Sequence, residues 1–368
     1  MFESKELADR MSRLQGKLTE SGIDLIALAP TPNMRYLLGF TPHPDERFSA
    51  LLVSNKGIGF VVPELNADEA RSQCDLEMSC WADADGPKEA LSQALDKLGM
   101  HDGIVLAADD TMRADALLLL QEVAKPRQCV TSGEVMSPLR MRKSEAEVKA
   151  IQLAAAQADR AMMAGADSCK PGVTELEVAE AVASYFRQDG ADAVDFTLIA
   201  SGPNGAFPHY VAGRRPLQDG DTVILDIGAT LNGYKSDITR VVHLGKPSAE
   251  VLAVYEVVQE ANRRGREAAV PGAVARDVDR AARSTIEEAG YGAYFLHRTG
   301  HGLGLEVHEA PWITAESDTV LEPGMVFSVE PGIYLQGKFG IRVEDIVVVT
   351  EGECHSFNQL DHGLIVRD

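Results

Sequence analysis

The first part of the chain alternates short apolar runs with segments of helical periodicity. A charged segment over about residues 3–21 repeats its apolar positions as a helix does. Four apolar runs have the length and composition of strands, namely DLIALAP, SALLVS, IGFVVP and GIVLAAD. Two further segments have helical periodicity, PKEALSQALDKLG and RADALLLLQEV. This alternation predicts an α/β domain over residues 1–135.

A change of pattern marks a junction after this domain. Pro138 and a basic stretch at 140–143 precede Ser144-Glu145-Ala146-Glu147. Ser followed three residues later by Glu is a capping box, in which the two side chains bond to each other's backbone N–H groups at the start of a helix. We therefore predict that a long helix begins here and that a second domain covers 136–368.

The second domain repeats its own pattern. Four features recur one hundred residues later, namely Pro171-Gly172 as Pro271-Gly272, Val178 as Val278, Ala181 as Ala281, and Gly190 as Gly290. Gly205 and His209 recur 99 residues later as Gly304 and His308. Gly220, Asp226 and Gly228 recur 104 residues later as Gly324, Glu330 and Gly332. Asp237 then corresponds to Glu344. The pattern of each half predicts two helices, a loop that ends in histidine, and two strands that each carry an acid. Halves related by a pseudo-twofold axis would place their four acids around one point.

Four carboxylates and one histidine lie in apolar or glycine-rich surroundings that a solvated acid would not need. They are Asp226 in VILDIGA, Asp237 in KSDITRVV, His301 in RTGHGLGLEVHE, Glu330 in VFSVEPGIY and Glu344 in IRVEDIVVV. A buried carboxylate costs several kcal/mol unless a cation meets it. The set therefore predicts a site for two divalent metal ions. Oxygen-rich ligands with one imidazole suit Mn²⁺, Co²⁺ or Zn²⁺.

The spacing of the first two acids supports this prediction. Asn232-Gly233 is a strong signal for a two-residue hairpin turn. With that turn, Asp226 faces Thr239 across the hairpin, and Asp237 becomes a diagonal neighbour of Asp226 at roughly 7–8 Å between Cα atoms. Two carboxylates at this distance can flank metal ions that lie roughly 3.5–4 Å apart.

Three more histidines and one arginine accompany the acids. His209 ends the loop SGPNGAFPH, and His297 and His308 lie on either side of His301. Their positions around the predicted metal ions favour functional roles. Arg342 lies two residues before Glu344 in Ile341-Arg342-Val343-Glu344, which we predict to be an alternating strand, so the two side chains would share a face. Its guanidinium either neutralises and orients the acids or binds a substrate carboxylate with two hydrogen bonds, and the sequence leaves both roles open.

Composition narrows the class of protein. The chain has 368 residues, 45% of them hydrophobic, and a net charge of −21, which argues against nucleic-acid binding because a phosphate-binding surface needs a basic patch. It contains no run of about 18 apolar residues and no signal-peptide pattern, so we expect no membrane span. The cysteines show no metal or redox spacing and predict reduced thiols in a cytoplasmic protein: Cys74, Cys80, Cys129, Cys169 and Cys354.

The motifs LDIGA…SDITR, HRTGHGLGLEVHE, VEPGIY and GIRVED together resemble one family. From about residue 140 to 368 the chain is similar to the pita-bread metallopeptidases, which include methionine aminopeptidase, aminopeptidase P and prolidase. The preceding part resembles the creatinase/prolidase N-terminal domain. The resemblance implies an α/β N-terminal domain followed by an α+β pita-bread (creatinase/aminopeptidase) domain with a pseudo-twofold repeat. It also implies that the Asp-Asp-His-Glu-Glu set, complete here, binds two metal ions.

The resemblance further implies roles for individual residues. Glu330 would shuttle the proton of a water that bridges the metals. His209 and His308 would hold the substrate and stabilise the tetrahedral intermediate. His297 and Arg342 match residues of the proline-specific members, so we expect His209, His297 and Arg342 to contact substrate.

The expected activity is hydrolysis of Xaa-Pro dipeptides by a metal-bridging hydroxide, as in prolidase, within a homodimer. The alternative is an aminopeptidase P that acts on longer proline-containing peptides, and the short N-terminal domain favours the dipeptidase. A metal-dependent hydrolase or lyase of a small non-peptide substrate is a third reading. A peptide-binding protein without chemistry is disfavoured, because buried acids without metal would destabilise the fold.

Overall fold

The chain divides between Arg140 and Met141 into two units, Met1–Arg140 and Met141–Asp368. The computed structural model describes residues 4–368. None of the helices in this described range has both the length and the apolar character that crossing a membrane requires.

The first unit is built on a mixed six-stranded sheet in the order β4-β3-β2-β1-β5-β6. Its strands are β1 (Leu25–Leu28), β2 (Ala50–Ser54), β3 (Gly57–Pro63), β4 (Met78–Trp81), β5 (Val105–Ala108) and β6 (Gln128–Thr131). Its helices are α1 (Ser4–Glu20), α2 (Pro32–Leu38), α3 (Glu64–Gln73), α4 (Lys88–Lys97), α5 (Ala114–Ala124) and α6 (Gly133–Met141). Leu91, Leu95 and Leu120 of the helices are buried with the central strands in one apolar cluster.

Every strand and helix predicted for this unit is present, but the pattern missed its two edge strands. β4 and β6 lie at opposite edges of the sheet and have mostly half-buried or exposed residues. An edge strand is covered by a neighbour on one side only, so its sequence carries a weaker apolar signal than β1 or β5. The segment interpreted as a junction also folds, since 133–141 forms helix α6.

The second unit pairs four helices with three sheets. The helices are α7 (Glu145–Ser168), α8 (Glu175–Gln188), α9 (Ala249–Ala268) and α10 (Ala275–Glu288). The strands are β7 (Ala193–Ser201), β8 (Thr222–Leu231), β9 (Tyr234–Lys235), β10 (Ile238–Leu244), β11 (Gly300–Gly302), β12 (Glu309–Ile313), β13 (Val326–Val329), β14 (Gly332–Leu335), β15 (Phe339–Arg342), β16 (Asp345–Val349), β17 (Cys354–Ser356) and β18 (Ile365–Arg367). The sheet orders are β18-β10-β8-β7 with β9 beside β8, β12-β11-β13-β16-β17, and β14-β15.

The predicted capping box starts helix α7. The Ser144 hydroxyl accepts a hydrogen bond from the Glu147 backbone N–H at 3.3 Å, and the Glu147 carboxylate accepts one from the Ser144 backbone N–H at 3.0 Å. Such a cap stabilises a helix by about 1 kcal/mol. Glu147 also accepts a hydrogen bond from the Tyr234 hydroxyl at 3.0 Å, so the first turn of α7 is tied to the hairpin that carries the first two acids.

The predicted repeat is present in the backbone hydrogen bonds. Gly172 N–H donates to the Leu217 carbonyl at 2.8 Å, and Gly272 N–H donates to the Leu321 carbonyl at the same distance. The glycines precede α8 and α10 and the leucines follow them, and the offsets between the two pairs match those between the repeated motifs. Each half therefore builds its helix pair and its acid-bearing strands with the same local connections.

The hairpin register agrees with the sequence prediction. Leu231 pairs with Tyr234, and Thr239 pairs with Asp226. Asn232 and Gly233 occupy the turn with φ angles of 52° and 81°, the left-handed region that this type of tight turn requires. Asp226 lies in the middle of β8, which continues to Leu231 at the turn.

Two glycines within helices allow these helices to lie close to the sheets, and substitution of the glycines tests this packing. A Cβ added at Gly165 of α7 would lie 2.6 Å from Val182 of helix α8 and 3.0 Å from Leu225 of strand β8. A Cβ added at Gly265 of α9 would lie 2.8 Å from Val329 of strand β13. We expect Gly165→Ala and Gly265→Ala each to lower the free energy of unfolding by about 1–3 kcal/mol through overpacking. Gly16 of α1 has open space, so Gly16→Ala should stabilise its helix by about 0.5–1 kcal/mol. Denaturant titration of the three variants measures this, and a stabilised Gly165→Ala variant would contradict the packing.

Candidate active site

The residues that the sequence singled out line one cavity of about 660 Å³ in the second unit. Its lining comprises Phe196, Leu198, Pro208, His209, Asp226, Asp237, His297, Arg298, His301, Val307, His308, Glu330, Arg342 and Glu344. The five expected metal ligands and the four other residues that the sequence predicted are therefore all brought together. The remaining lining is mainly apolar.

Each expected ligand comes from a different segment of backbone. Asp226 lies within β8, and Asp237 directly precedes β10. His301 is the central residue of β11, Glu330 follows β13, and Glu344 lies in the short link between β15 and β16. The strand predicted over 341–344 is thus interrupted, although a backbone bridge between Glu344 and Thr239 keeps that link beside the hairpin.

Three of these side chains converge closely enough to share one ion. Ligand atoms of Asp237, His301 and Glu344, all buried, lie within 4.8 Å of one another. His301 Nε2 also lies 3.2 Å from Glu330 Oε1 and 3.8 Å from Asp237 Oδ2. A carboxylate-rich set with one imidazole is a donor set for a hard or borderline divalent cation.

Neighbouring groups fix the orientation of His301 and Glu330. His301 Nδ1 lies 3.1 Å from the Gly302 carbonyl oxygen, which can only accept, so Nδ1 donates to this carbonyl and Nε2 faces the acids. The Ser328 hydroxyl accepts a hydrogen bond from the His301 backbone N–H at 3.0 Å and donates one to Glu330 at 3.1 Å. One serine therefore positions two of the candidate ligands.

Arg342 is buried beside the acids, and all three of its nitrogens have partners. Nη2 donates to Asp226 Oδ2 at 2.6 Å, Nη1 donates to the Tyr334 hydroxyl at 2.7 Å, and Nε donates to Thr239 Oγ1 at 3.2 Å. The Thr239 hydroxyl donates in turn to Glu344 Oε2 at 2.7 Å. Of the two roles that the sequence left open for Arg342, these contacts favour orienting the acids.

The acids carry more negative charge than the protein compensates. Burial raises the pKa of Asp226, and burial with repulsion from neighbouring carboxylates raises the pKa of Asp237 and Glu344 well above the usual range. Asp226 Oδ1 and Glu344 Oε1 are buried oxygens without a hydrogen-bond partner in residues 4–368. Unpaired buried acceptors next to crowded acids fit a bound divalent cation, since a cation satisfies both the oxygens and the charge.

Glu330 differs from the other acids. Burial acts to raise its pKa, but the hydrogen bond and the charge of His301 outweigh burial and lower the pKa to about 2. The ring of His308 packs edge-on against His301 with 4.2 Å between ring centroids. Burial and the proximity of His301 lower the pKa of His308 to about 4. His308 is therefore a neutral imidazole at the cavity wall near neutral pH.

The other two histidines are held differently. His297 Nε2 lies 2.8 Å from the Tyr334 hydroxyl, and its Nδ1 lies 2.7 Å from the Arg298 carbonyl oxygen. Burial lowers the pKa of His297. His209 is exposed on the loop after β7, and its side chain makes no hydrogen bond to any residue of the described range. The two histidines thus face one cavity from a fixed wall and from a loop.

Sequence reasoning missed several residues that complete the site. Thr239 links Arg342 to Glu344, Ser328 links His301 to Glu330, and Arg298 lines the cavity. A signal existed for Thr239, which shares the strand face of Asp237 in SDITR, and for Arg298, which lies inside HRTGHG. The role of Ser328 depends on a contact with a different strand, so no spacing in the sequence reports it.

Comparison with known proteins assigns the fold. A family model described as metallopeptidase family M24 matches residues 149–351, and one described as the creatinase/prolidase N-terminal domain matches residues 10–142. The chain is 34% identical to the Xaa-Pro dipeptidase of Pyrococcus furiosus, over 98% of this chain and 100% of that protein.

Solved structures give the same result. A prolidase from Thermococcus sibiricus superposes with a TM-score of 0.94 at 36% identity and covers 100% of both chains. An X-Pro aminopeptidase from Thermotoga maritima superposes with a TM-score of 0.84 at 32% identity and covers 97% of this chain and 99% of its own. The predicted combination of a creatinase/prolidase-like domain with a pita-bread domain is confirmed, and the chain is a peptidase that belongs to metallopeptidase family M24.

Proposed function

We propose that this protein is a dinuclear metal-dependent dipeptidase that hydrolyses Xaa-Pro dipeptides. The observation that carries the proposal is the convergence of Asp237, His301 and Glu344 to within 4.8 Å, with Asp226 and Glu330 in the same cavity of an M24 fold. Relatives named Xaa-Pro dipeptidase and prolidase support the substrate class. The predicted homodimer and cytoplasmic location stay predictions.

The cofactor proposed is a pair of divalent ions, Mn²⁺, Co²⁺ or Zn²⁺, held by the five candidate ligands. When bound, such ions would polarise the scissile carbonyl and lower the pKa of water enough to supply a nucleophile near neutral pH. The chain supplies the remaining functions. Glu330 accepts the proton of the attacking water, and His209 and His308 face the substrate carbonyl oxygens.

Apolar residues of the cavity form a wall that can contact the proline ring. Phe196, Leu198 and Val307 line the cavity beside His297. The nitrogen of an Xaa-Pro bond carries no hydrogen, so a wall that offers no acceptor at that point costs a proline substrate nothing. An ordinary peptide N–H at the same point would lose its hydrogen bond to water. We propose that this wall contributes to selectivity for proline.

Two arginines of the cavity are candidates for binding the free carboxylate of a dipeptide. The sequence singled out Arg342, whose three nitrogens are already engaged. The guanidinium of Arg298 stacks on the Trp312 ring at 4.5 Å and is half-buried, and no carboxylate of residues 4–368 lies within ion-pairing distance of it. We therefore propose Arg298 as the carboxylate-binding residue and Arg342 as the partner of Asp226.

Aminopeptidase P is the second candidate function. The similarity to the X-Pro aminopeptidase of Thermotoga maritima supports it, since that structure also matches nearly the full chain. The two candidates differ in whether substrate may continue beyond proline. A free carboxylate that must meet an arginine would restrict the site to dipeptides.

Metal removal tests the cofactor. Chelation followed by dialysis should abolish turnover and lower the thermal midpoint, because a ligand at 100 times its Kd stabilises a protein by about 2.7 kcal/mol. Adding Mn²⁺ back should restore both. Asp237→Asn should lose the metal-induced shift, whereas Glu180→Gln, an exposed acid on α8, should keep it. Full turnover by protein shown to be metal-free by elemental analysis would exclude the proposed site.

Glu330→Gln tests the proton acceptor. An amide cannot take the proton of water, so kcat should fall roughly 10²–10⁴-fold while some metal is retained. Steady-state kinetics with metal content measured on the same sample checks this. A variant within a factor of a few of the wild type would assign the base to another residue.

A substrate panel separates dipeptidase from aminopeptidase P and tests the arginines. Xaa-Pro dipeptides, their C-terminally amidated forms and Xaa-Pro-Yaa tripeptides are compared in wild type, Arg298→Ala and Arg342→Lys. We expect free dipeptides to be the best substrates. Arg298→Ala should lower kcat/KM for them by roughly 10- to 100-fold with little effect on amides, because charge-assisted hydrogen bonds contribute about 1.5–3 kcal/mol.

Arg342→Lys provides the matched comparison for this panel. If Arg342 orients Asp226, its variant should lose activity equally on free and amidated substrates, in proportion to metal occupancy. A loss of activity in Arg342→Lys that is confined to free dipeptides would identify Arg342 as the residue that binds the substrate carboxylate. Faster cleavage of tripeptides than dipeptides by the wild type would favour aminopeptidase P.

A further inference from the structure

Helix α8 begins with a carboxylate that is fully buried and holds a loop. Glu175 Oε1 accepts hydrogen bonds from the Ser201 backbone N–H at 2.8 Å, the Ser201 hydroxyl at 2.6 Å and the Asn204 side-chain amide at 3.0 Å. Its Oε2 accepts one from the Gly213 backbone N–H at 3.2 Å. One acid thus binds both ends of the loop over 202–212, hereafter the His209 loop.

The other half of the repeat shows that the helix does not need this acid. Ala275 occupies the corresponding first position of α10, one hundred residues later. The backbone around it keeps the same pattern, since Glu175 N–H donates to the Arg215 carbonyl at 3.1 Å and Ala275 N–H donates to the Thr319 carbonyl at 2.8 Å. The carboxylate is therefore an addition specific to the half that carries His209.

The His209 loop needs outside support to place its histidine. His209 is exposed, lines the cavity and has no side-chain hydrogen bond within residues 4–368, so only the backbone of the loop sets its position. Gly205 lies tightly against the Gly340 backbone, since an added Cβ would be 2.9 Å from its nitrogen. Two side chains also donate to carbonyl oxygens within the loop, Arg342 to Pro208 at 3.4 Å and Gln336 to Ala206 at 3.1 Å. Glu175 is the acid that accepts hydrogen bonds from both ends of the loop.

A cation and a tyrosine extend this arrangement. Arg215 Nη1 donates to the Ser201 hydroxyl at 2.6 Å, and its Nη2 donates to Asp221 Oδ1 at 2.9 Å. The Asn204 amide also donates to the Tyr210 hydroxyl at 2.9 Å, next to His209 in the sequence. Glu175 is thereby connected, through Asn204, to the residue that follows His209.

We propose that Glu175 is a positioning residue that holds the His209 loop so that the His209 imidazole reaches the substrate. This inference rests on the proposed peptidase function for its kinetic consequences. A displacement of about 1 Å of a group that contacts the reacting substrate can lower the rate by about 10²-fold. Glu175 acts on the reaction only through His209, and it does not bind metal.

A double-mutant cycle tests the proposal. We expect Glu175→Ala to lower kcat/KM by up to about 10²-fold with metal content unchanged, and His209→Ala to lower it at least as much. Because Glu175 acts through His209, the double variant should be no slower than His209→Ala alone. Multiplicative losses, or loss of metal from Glu175→Ala, would overturn the proposal.

Two milder variants show whether a loss of activity in Glu175→Ala comes from a folding defect. Glu175→Gln keeps one acceptor oxygen but places N–H groups against a donor, and Asn204→Ala removes one of the four contacts. Both should show smaller losses that also vanish in the His209→Ala background. Glu180→Gln on the same helix, an exposed acid paired with Arg187, is the control and should match the wild type.

Hydrogen exchange separates this proposal from the proposed function. Amides of the His209 loop should exchange faster in Glu175→Ala and Glu175→Gln than in the wild type or in Glu180→Gln, and this measurement needs no substrate. Unchanged exchange would overturn the positioning role whatever the activity is. If the wild type cleaved no proline peptide but the Glu175 variants still showed faster loop exchange, the proposed function would be overturned. The role of Glu175 in holding the His209 loop would remain supported.

Discussion

The structure of the second unit depends on bringing negatively charged side chains together where water is excluded. Asp226, Asp237, Glu330 and Glu344 meet in one cavity beside the His301 imidazole, and the buried Arg342 is the one guanidinium in ion-pair contact with them among residues 4–368. Crowded, buried carboxylates oppose folding unless cations compensate them. Divalent ions are the simplest source of that charge, and two orphaned carboxylate oxygens are where they would be needed. Metal binding and folding are therefore expected to be linked in this unit.

The internal repeat explains how a chain can assemble such a site. Each half supplies two acids that lie in a strand or next to the end of one, and the matching backbone bonds of Gly172 and Gly272 show that the two halves are built alike. Neither half holds enough ligands for the cluster, so the site forms only where the halves meet. Glycines at Gly165 and Gly265 let the helices lie close to the acid-bearing strands in both halves. The symmetry thus belongs to the scaffold and to the acids that we propose as metal ligands.

Sequence reasoning succeeded where a local signal determines the structure. The Asn232-Gly233 turn determines the hairpin register and hence the pairing of Asp226 with Thr239. The acids were recognisable because apolar neighbours surround them in the sequence. Edge strands β4 and β6 were missed since half-exposed strands carry little apolar signal. The engagement of Arg342 could not be predicted, because its partners Asp226 and Thr239 lie more than one hundred residues away and only the folded structure shows that its donors are used.

The candidate metal ligands and the residues proposed to bind substrate also differ in how far local sequence predicts their roles. Whether a cation can bind substrate depends on its existing partners. Arg342, whose three nitrogens are all engaged, therefore differs from Arg298, which stacks on a ring, although both line the cavity. The substrate side also departs from the repeat, since Glu175 supports the His209 loop where the other half has Ala275. Under the proposed function, a symmetric scaffold would keep the acids proposed to bind metal while asymmetric residues set which peptides fit. Substrate length and selectivity would then depend on residues such as Arg298 and the His209 loop, which can change without disturbing the buried acids.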